Sequence, residues 1–246
     1  MSQGPLVIQF AMRMEAAPLL AAGDFQPISL SVPDHRYGFL IHQGQTRLGN
    51  EVIVAIAGIH PRDQVDSIGT LSAGLLTHVL ISQFQPRMII NAGTAGGFHA
   101  RGGQVGDVYL GESPVVFHDR RVQLPGNFPR FSEGHRPVRH DLELRQALGL
   151  KAGVVSSGDS LDCTDEDMKH LLRLGASVKE MEAAAIATIC EARAVPLVLL
   201  KSITDIVDDH PQSEGLSTEE QFLKNYSFAV SSLIAKLESV IEWYSR

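Results

Sequence analysis

Three carboxylates stand where predicted strands end or predicted helices begin, and such positions suit acid–base chemistry. Asp205 follows an apolar strand, Glu15 lies just past the first strand, and Glu182 begins an Ala-rich helix. Burial disfavours the charged form of a carboxyl group and raises its pKa, so Asp205 could serve as a general acid near neutral pH. Structural roles remain open for all three: a cap or salt bridge for Asp205, and a charge at a helix start for Glu15 and Glu182.

A glycine-rich segment, residues 93–97, follows another apolar strand. Its glycines could allow backbone N–H groups to approach a ligand. The segment lacks both the G-x-G-x-x-G spacing of dinucleotide sites and the Gly-Lys-Ser/Thr of a P-loop. By itself it fits a tight strand-to-helix turn equally well. The ten histidines form no His-Glu-x-x-His or other close metal spacing, so no metal site is expected.

The composition limits the class of partner. The chain has 246 residues, with 28 acidic against 21 basic side chains and a net charge of −7. This balance argues against a nucleic-acid duplex or an anionic membrane as partner. Two cysteines, Cys163 and Cys190, do not make a disulfide scaffold, and no targeting or membrane-spanning segment is evident. A cytoplasmic protein is therefore expected.

Short apolar runs alternate with helical patterns along the chain. Strands are predicted over residues 6–12, 38–42, 51–57, 87–91, 107–110, 114–117, 153–156 and 197–203. Helices are predicted over residues 64–84, 142–148, 165–174, 182–193 and 218–244, with Thr164 as an N-cap and a Ser217/Glu220 capping box. This order predicts an α/β fold with a largely parallel central sheet. No change in composition marks a linker, so residues 1–246 are expected to form a single domain. Residues 120–137 and 208–215 are expected to be binding loops or interface arms.

Ligands of open α/β sheets bind beyond the carboxyl ends of the strands, so the junction segments are expected to converge. The informative ones, in chain order, are Ala-Met-Arg-Met-Glu ending at Glu15, Ile-Asn-Ala-Gly-Thr-Ala-Gly-Gly ending at Gly97, Ser-Gly-Asp-Ser from Ser157, Glu-Met-Glu-Ala-Ala-Ala from Glu180, and Ser-Ile-Thr-Asp ending at Asp205. Together, and over nearly the whole chain, they resemble the 5′-methylthioadenosine/S-adenosylhomocysteine nucleosidases of the nucleoside phosphorylase family. The details look most like the plant-type branch.

The resemblance implies a three-layer αβα sandwich around a mixed, barrel-like sheet, a homodimer, and hydrolysis of the N9–C1′ bond of an adenine nucleoside without cofactor or metal. It implies that Asp205 gives its proton to N7 of adenine, that Glu15 activates water, and that Glu182 binds the ribose hydroxyls. Further substrate-binding residues implied in the same way are Met12, Ile59, Gly93, Thr94, Ala95, Leu161, Asp162, Glu180, Met181, Thr204 and Phe222.

The chain departs from the family pattern at several places. Leu161 stands where many bacterial relatives have Phe, Lys201 replaces an Arg, and residues 120–137 differ in composition, which leaves the choice of 5′ substituent open; 5′-deoxyadenosine and an aminofutalosine are alternatives within the hydrolase interpretation. A phosphate-dependent phosphorylase is a further alternative. It is disfavoured because Asn91 stands where related phosphorylases carry Arg, and because Glu15 would repel phosphate. A non-catalytic binding or storage protein on the same fold is disfavoured because all three carboxylates are present.

Overall fold

The computed structural model of the protein describes residues 4–30, 37–208 and 215–246. The strands are β1 Leu6–Phe10, β2 Asp24–Ile28, β3 Leu40–Gln45, β4 Glu51–Ile56, β5 Met88–Gly97, β6 Val108–Phe117, β7 Lys151–Ser157, β8 Ala176–Glu180 and β9 Leu197–Ile206. The helices are α1 Arg13–Ala22, α2 Thr70–Phe84, α3 Phe128–Glu133, α4 Leu142–Leu148, α5 Asp165–Arg173, α6 Ala183–Ala192 and α7 Thr218–Ser245.

The strands form one mixed sheet in the order β2-β3-β4-β1-β5-β8-β7-β6-β9. Because β5 pairs with both β8 and β9, strands β5, β8, β7, β6 and β9 close into a barrel, and the other four extend from β5. The pairs β2–β3, β3–β4, β5–β8 and β6–β9 are antiparallel. The sheet is therefore less parallel than the alternation of strands and helices predicted, since that pattern does not show the hairpins or the direction in which the barrel closes.

Helices cover both faces of the sheet. On one face α2 and α6 bury Leu76, Leu80 and Ile186. On the other face α1, α4 and α7 bury Leu19 and Leu144, together with the α7 residues Leu233, Leu237 and Ile241. The three-layer αβα architecture around a mixed, barrel-like sheet is thus confirmed.

The helix predicted over residues 64–84 begins only at Thr70. Its N-cap, Gly69, has φ of 97°, a conformation that L side chains rarely adopt, and this residue ends the preceding loop. Val65 and Ile68, which the apolar spacing assigned to the helix, lie in that loop and are exposed.

Strands β5 and β9 extend further than predicted. Residues 93–97 are the end of β5, not a strand-to-helix turn, and Thr204 and Asp205 lie within β9. The pairing of β5 with β9 shifts register between Ala95 and Gly96. A Cβ at Gly96 would lie 2.7 Å from Asp205 Oδ2, so the glycine is needed for a close approach of the two strands.

Other differences are smaller. The two strands predicted within residues 107–117 are the single strand β6, interrupted by a register shift between Glu112 and Val116. Residues 120–137 contain α3, and Arg136 pairs with Val115. The other expected arm, 208–215, lies mostly outside the described residues. Strands β2 and β8 were not predicted. β2 is an edge strand that contains Pro27, and β8 is a buried strand whose Lys179 and Glu180 make its sequence look polar. The Thr164 and Ser217 caps are confirmed.

Candidate active site

A cavity of about 250 Å³ opens where β1, β5, β8 and β9 end. Most of the predicted site residues line it: Met12, Glu15, Thr94, Ala95, Leu161, Glu180, Met181, Glu182, Thr204, Asp205 and Phe222. Ala11, Ile68, Gly96 and Lys179 line it as well. Gly93, Ile59 and Asp162 are not among the lining residues.

Glu15 is fixed at the cavity wall by the end of β5. Its Oε1 accepts hydrogen bonds from the backbone N–H and the hydroxyl of Thr94, each at 2.7 Å, and its Oε2 accepts one from the Met12 N–H at 3.1 Å. Burial raises the pKa of Glu15, while these donors and the charge of Lys201 oppose the shift. A Cβ at Gly93 would lie 3.2 Å from Glu15 Oε1, so Gly93 makes room for the carboxylate without lining the cavity.

Asp205 also lines the cavity and is 4% exposed. Burial raises its pKa, and the Thr204 hydroxyl and the charge of Lys179 act against this shift. The Thr204 hydroxyl is 2.7 Å from Asp205 Oδ1 and 3.2 Å from the carbonyl oxygen of Ala95. When it donates to the Ala95 carbonyl it can accept a hydrogen bond from the O–H of a neutral Asp205, so both protonation states of the acid have a partner.

Glu182 is the N-cap residue of α6. Its Oε1 accepts a hydrogen bond from the N–H of Gly69 at 2.9 Å. Burial and the neighbouring charge of Glu180 raise the pKa of Glu182 to about 7, and Lys201 and Gly69 oppose them. This carboxyl group therefore takes up a proton more readily than an exposed glutamate does.

Glu180 borders the same cavity, but its carboxylate is already bound by protein donors. Oε2 accepts from Lys201 Nζ at 2.9 Å and from the N–H of Ala183 at 2.9 Å, and Oε1 accepts a short hydrogen bond from the Ser157 hydroxyl. Lys201 and these donors hold the pKa of Glu180 below its usual range despite full burial. We call Glu180, Lys201 and Ser157 the Glu180 cluster; it ties β8 to β7, β9 and the start of α6.

Lys179 and Ile68 line the cavity and were not predicted. Lys179 Nζ donates to the carbonyl oxygens of Ser160 and Leu161, at 2.8 and 2.9 Å. The one sequence signal for Lys179 was its place directly before the Glu-Met-Glu motif. Ile59, which was predicted instead of Ile68, pairs with Asp66 at the base of the same loop.

Among the described residues, no group of three or more His, Cys, Asp or Glu side chains could hold a metal ion. Nor does this part of the chain contain a helix long and apolar enough to cross a membrane.

The closed mixed barrel flanked by helices, with a carboxylate-lined cavity at its strand ends, is the arrangement of a nucleoside-cleaving enzyme. The chain belongs to the Phosphorylase superfamily, whose family pattern matches residues 5–242.

Within that family the chain is similar to plant nucleosidases. It is 35% identical to a 5′-methylthioadenosine nucleosidase of Arabidopsis thaliana over 97% of this chain and 86% of the relative. It is 40% identical to a 5′-methylthioadenosine/S-adenosylhomocysteine nucleosidase of the same plant over 74% of this chain and 68% of the relative. The solved structure of a 5′-methylthioadenosine nucleosidase of Arabidopsis thaliana superposes with a TM-score of 0.89 at 33% identity, covering 98% of this chain and 96% of that one. The resemblance inferred from the junction motifs is confirmed.

Proposed function

We propose that the protein hydrolyses the N-glycosidic bond of 5′-methylthioadenosine, releasing adenine and 5-methylthioribose. The observation that carries this proposal is one cavity with a carboxyl group of raised pKa, Asp205, on one wall and a carboxylate held by three donors, Glu15, on another. The names of the similar plant enzymes support the choice of substrate.

Asp205 is the general acid of the proposed reaction. Breaking the bond between N9 and C1′ leaves negative charge on the purine, and protonation of N7 neutralises it. Because burial raises the pKa of Asp205 above its ordinary value, Asp205 keeps its proton to higher pH than an exposed aspartate and can give it to the purine. The electron pair of the broken bond stays on the purine, and the proton leaves Asp205 for N7.

Glu15 positions and activates the attacking water. As C1′ gains positive character, a water molecule held by the Glu15 carboxylate attacks it and gives its proton to Glu15. The two Thr94 donors and the Met12 N–H favour the ionised form of Glu15, which a base requires. The proton taken by Glu15 balances the one lost by Asp205, so the reaction as proposed uses only these side chains and water, with no cofactor or metal.

Glu182 binds the ribose hydroxyls in this scheme, and Met181 packs against the sugar. Glu182 Oε2 accepts no hydrogen bond from the described residues and can accept from a diol. Leu161, Phe222, Met12 and Ile68 supply apolar surface for adenine and the 5′ substituent. Glu180 borders the cavity but positions α6, and Gly93 lies behind the cavity surface and leaves room for Glu15. Ile59 and Asp162 are not among the cavity-lining residues, so we assign them no direct contact with the substrate.

The phosphorylase alternative is less well supported by this cavity. Phosphate would have to take the place of the water beside Glu15. The Glu15 carboxylate also interacts electrostatically with Glu182, and the negative charge of Glu182 further raises the free-energy cost of placing an anion there. The same three carboxyl groups argue against a purely storage role. Burying a carboxyl group costs folding free energy, and buried carboxyl groups with raised pKa values are typical of catalytic sites.

We also propose that the chain is a single cytoplasmic domain that forms a homodimer. Exposed apolar side chains lie on α2 and on the 120–137 segment, and α6 lies between them: it packs beside α2, and its Glu191 binds Arg136. Leu71 is 74% exposed and Phe131 is 69% exposed. Sedimentation equilibrium should show a dimer that Leu71→Glu or Phe131→Glu weakens. Leu223→Glu is the matched control, because Leu223 is equally exposed on α7.

The activity is tested by adenine release from 5′-methylthioadenosine in phosphate-free buffer, with added phosphate, and with S-adenosylhomocysteine as a second substrate. We expect release without phosphate, with free methylthioribose as the sugar product. Release that requires phosphate would mean a phosphorylase. Binding of nucleosides without any release would favour the storage alternative.

A further inference from the structure

Lys179 is a buried lysine without an ion-pair partner, and burial lowers its pKa while nearby acidic groups, Asp205 among them, oppose the shift. It is 5% exposed at the end of β8. Among the described residues no carboxylate lies within 4.0 Å of Nζ, and the Nζ hydrogen bonds go to two neutral carbonyl oxygens, those of Ser160 and Leu161. Removing an ammonium group from water without an ion pair is costly, so its presence beside a cavity calls for a physical reason.

The surroundings of Lys179 place it at the Asp205 end of the cavity. Both residues line the cavity, and the positive charge of Lys179 acts on Asp205, where it opposes the effect of burial. The two carbonyl groups that Lys179 binds belong to the segment carrying Leu161, a third lining residue. An ammonium group has three N–H donors, so two hydrogen bonds leave one free.

We propose that Lys179 is a positioning residue of the glycosidase reaction: it holds the Ser160–Leu161 backbone against the adenine end of the cavity and places a positive charge beside Asp205. This rests on the proposed role of Asp205 as the acid. The charge disfavours the neutral acid and so makes Asp205 a readier donor, and it stabilises the negative charge that develops on the departing purine.

Charge and hydrogen bonding can be separated by three substitutions. Lys179→Gln keeps N–H donors and loses the charge, Lys179→Met loses both, and Lys179→Arg keeps both. Lys169→Met is the control, because Lys169 is an exposed lysine on α5 and its loss changes the net charge equally.

The alkaline limb of kcat against pH reports the deprotonation of Asp205. Asp205 is faced by Lys179 from β8, by Thr204 from its own strand and by Glu219 from α7. Removing the Lys179 charge raises the pKa of Asp205, so the acid stays protonated to higher pH. We expect the limb to move up by about one pH unit in Lys179→Gln and Lys179→Met, and to stay in place in Lys179→Arg and Lys169→Met. We expect KM to rise about ten-fold in Lys179→Met, where the Leu161 segment loses both donors.

A limb at the wild-type pH in Lys179→Gln, or an equal shift in Lys179→Arg, would overturn the inference. If Lys179→Met does not fold, Lys179→Gln and Lys179→Arg still decide it, because both keep N–H donors and only Lys179→Arg keeps the charge. The parent proposal is tested apart: an active Asp205→Asn enzyme removes the acid role, whereas an inactive one with an unshifted Lys179→Gln limb removes only the role of Lys179.

Discussion

Glu180 and Glu182 are two residues apart and almost equally buried, 5% and 8% exposed, yet their environments have opposite effects on ionisation. Glu180 is paired with Lys201 and bound by Ser157 and backbone donors, and its pKa lies below the usual range. Glu182 has one backbone donor, Gly69, and its pKa is raised to about 7. At equal burial, the number and charge of the donors decide which carboxylate stays ionised and which can take up a proton.

The same contrast separates two regions of the molecule. In the Glu180 cluster the charges are compensated, and the cluster joins strands and a helix. At the cavity, burial raises the pKa values of Glu15, Glu182 and Asp205. The hydrogen-bond donors around these carboxyl groups offset the effect of burial only in part. The first region is scaffold, and the second is where the proposed proton transfers occur.

Asp205→Asn tests the cavity side of this contrast with the largest expected effect. Asn fills nearly the same space but has no acidic proton to transfer to N7, so we expect kcat to fall about 10²–10⁴-fold. Equilibrium binding of 5′-methylthioadenosine should change little. Asp165→Asn, on the exposed start of α5, is the control. Near-normal adenine release by Asp205→Asn would remove the acid role.

Lys201→Met tests the scaffold side. It leaves Glu180 as a buried charge without its ion pair, so we expect the free energy of unfolding to fall by about 3–5 kcal/mol in urea denaturation. Adding Glu180→Gln to this variant should recover part of the loss. A single substitution that costs less than about 1 kcal/mol would show that the cluster is not held by this pair.

Glu182→Gln should raise the free energy of unfolding, whereas Lys201→Met should lower it. The folded-state pKa of Glu182 is raised above its unfolded value of 4.5, so its ionisation costs stability as the pH rises from 4.5 to about 7, and the full cost applies above that. We expect the variant to be more stable than wild type at pH 8 by about 3 kcal/mol, or about 6–12 °C in Tm, and equally stable below about pH 4.5. A thermal melt at both pH values checks this; a Tm at pH 8 no higher than wild type would contradict it.

The pH dependence of KM is the smallest expected effect. An ionised Glu182 accepts hydrogen bonds from the ribose hydroxyls, and a protonated one does so poorly. Because its pKa is about 7, the ionised fraction falls about ten-fold between pH 8 and pH 6, and KM should rise by about the same factor. In Glu182→Gln the KM should be higher throughout and lack this dependence.

Much of the cavity was predictable because its residues follow apolar strands, and the strand ends meet at one edge of the sheet. Asp205 and Glu15 were found in this way, and Glu182 was found as a charge at the start of an Ala-rich helix. The ends of β5 and β9 were not, because the small residues at 93–97 look like a turn until β9 is seen to pack against them.

The sequence did not reveal some cavity residues, and each omission has a local structural cause. Ile68 continues the helical spacing of α2, and only the positive φ of Gly69 shows that the helix starts after it. Lys179 and Glu180 are charged residues in a buried strand, so hydropathy does not reveal β8. That Glu180 is bound by the protein and Glu182 is available depends on Lys201 and Ser157, which are distant in sequence.

Infrared difference titration of the protonated carboxyl C=O stretch, from about pH 5 to pH 9, tests the contrast most directly. Wild type should show a carboxyl band that disappears near pH 7, and Glu182→Gln should lack that component. Glu180→Gln should keep the component but lose it at a lower pH, because the charge of Glu180 no longer raises the pKa of Glu182. The account would be contradicted if the band that titrates near pH 7 persisted in Glu182→Gln and was absent from Glu180→Gln. The proton would then be carried by Glu180, in the Glu180 cluster, and not by Glu182.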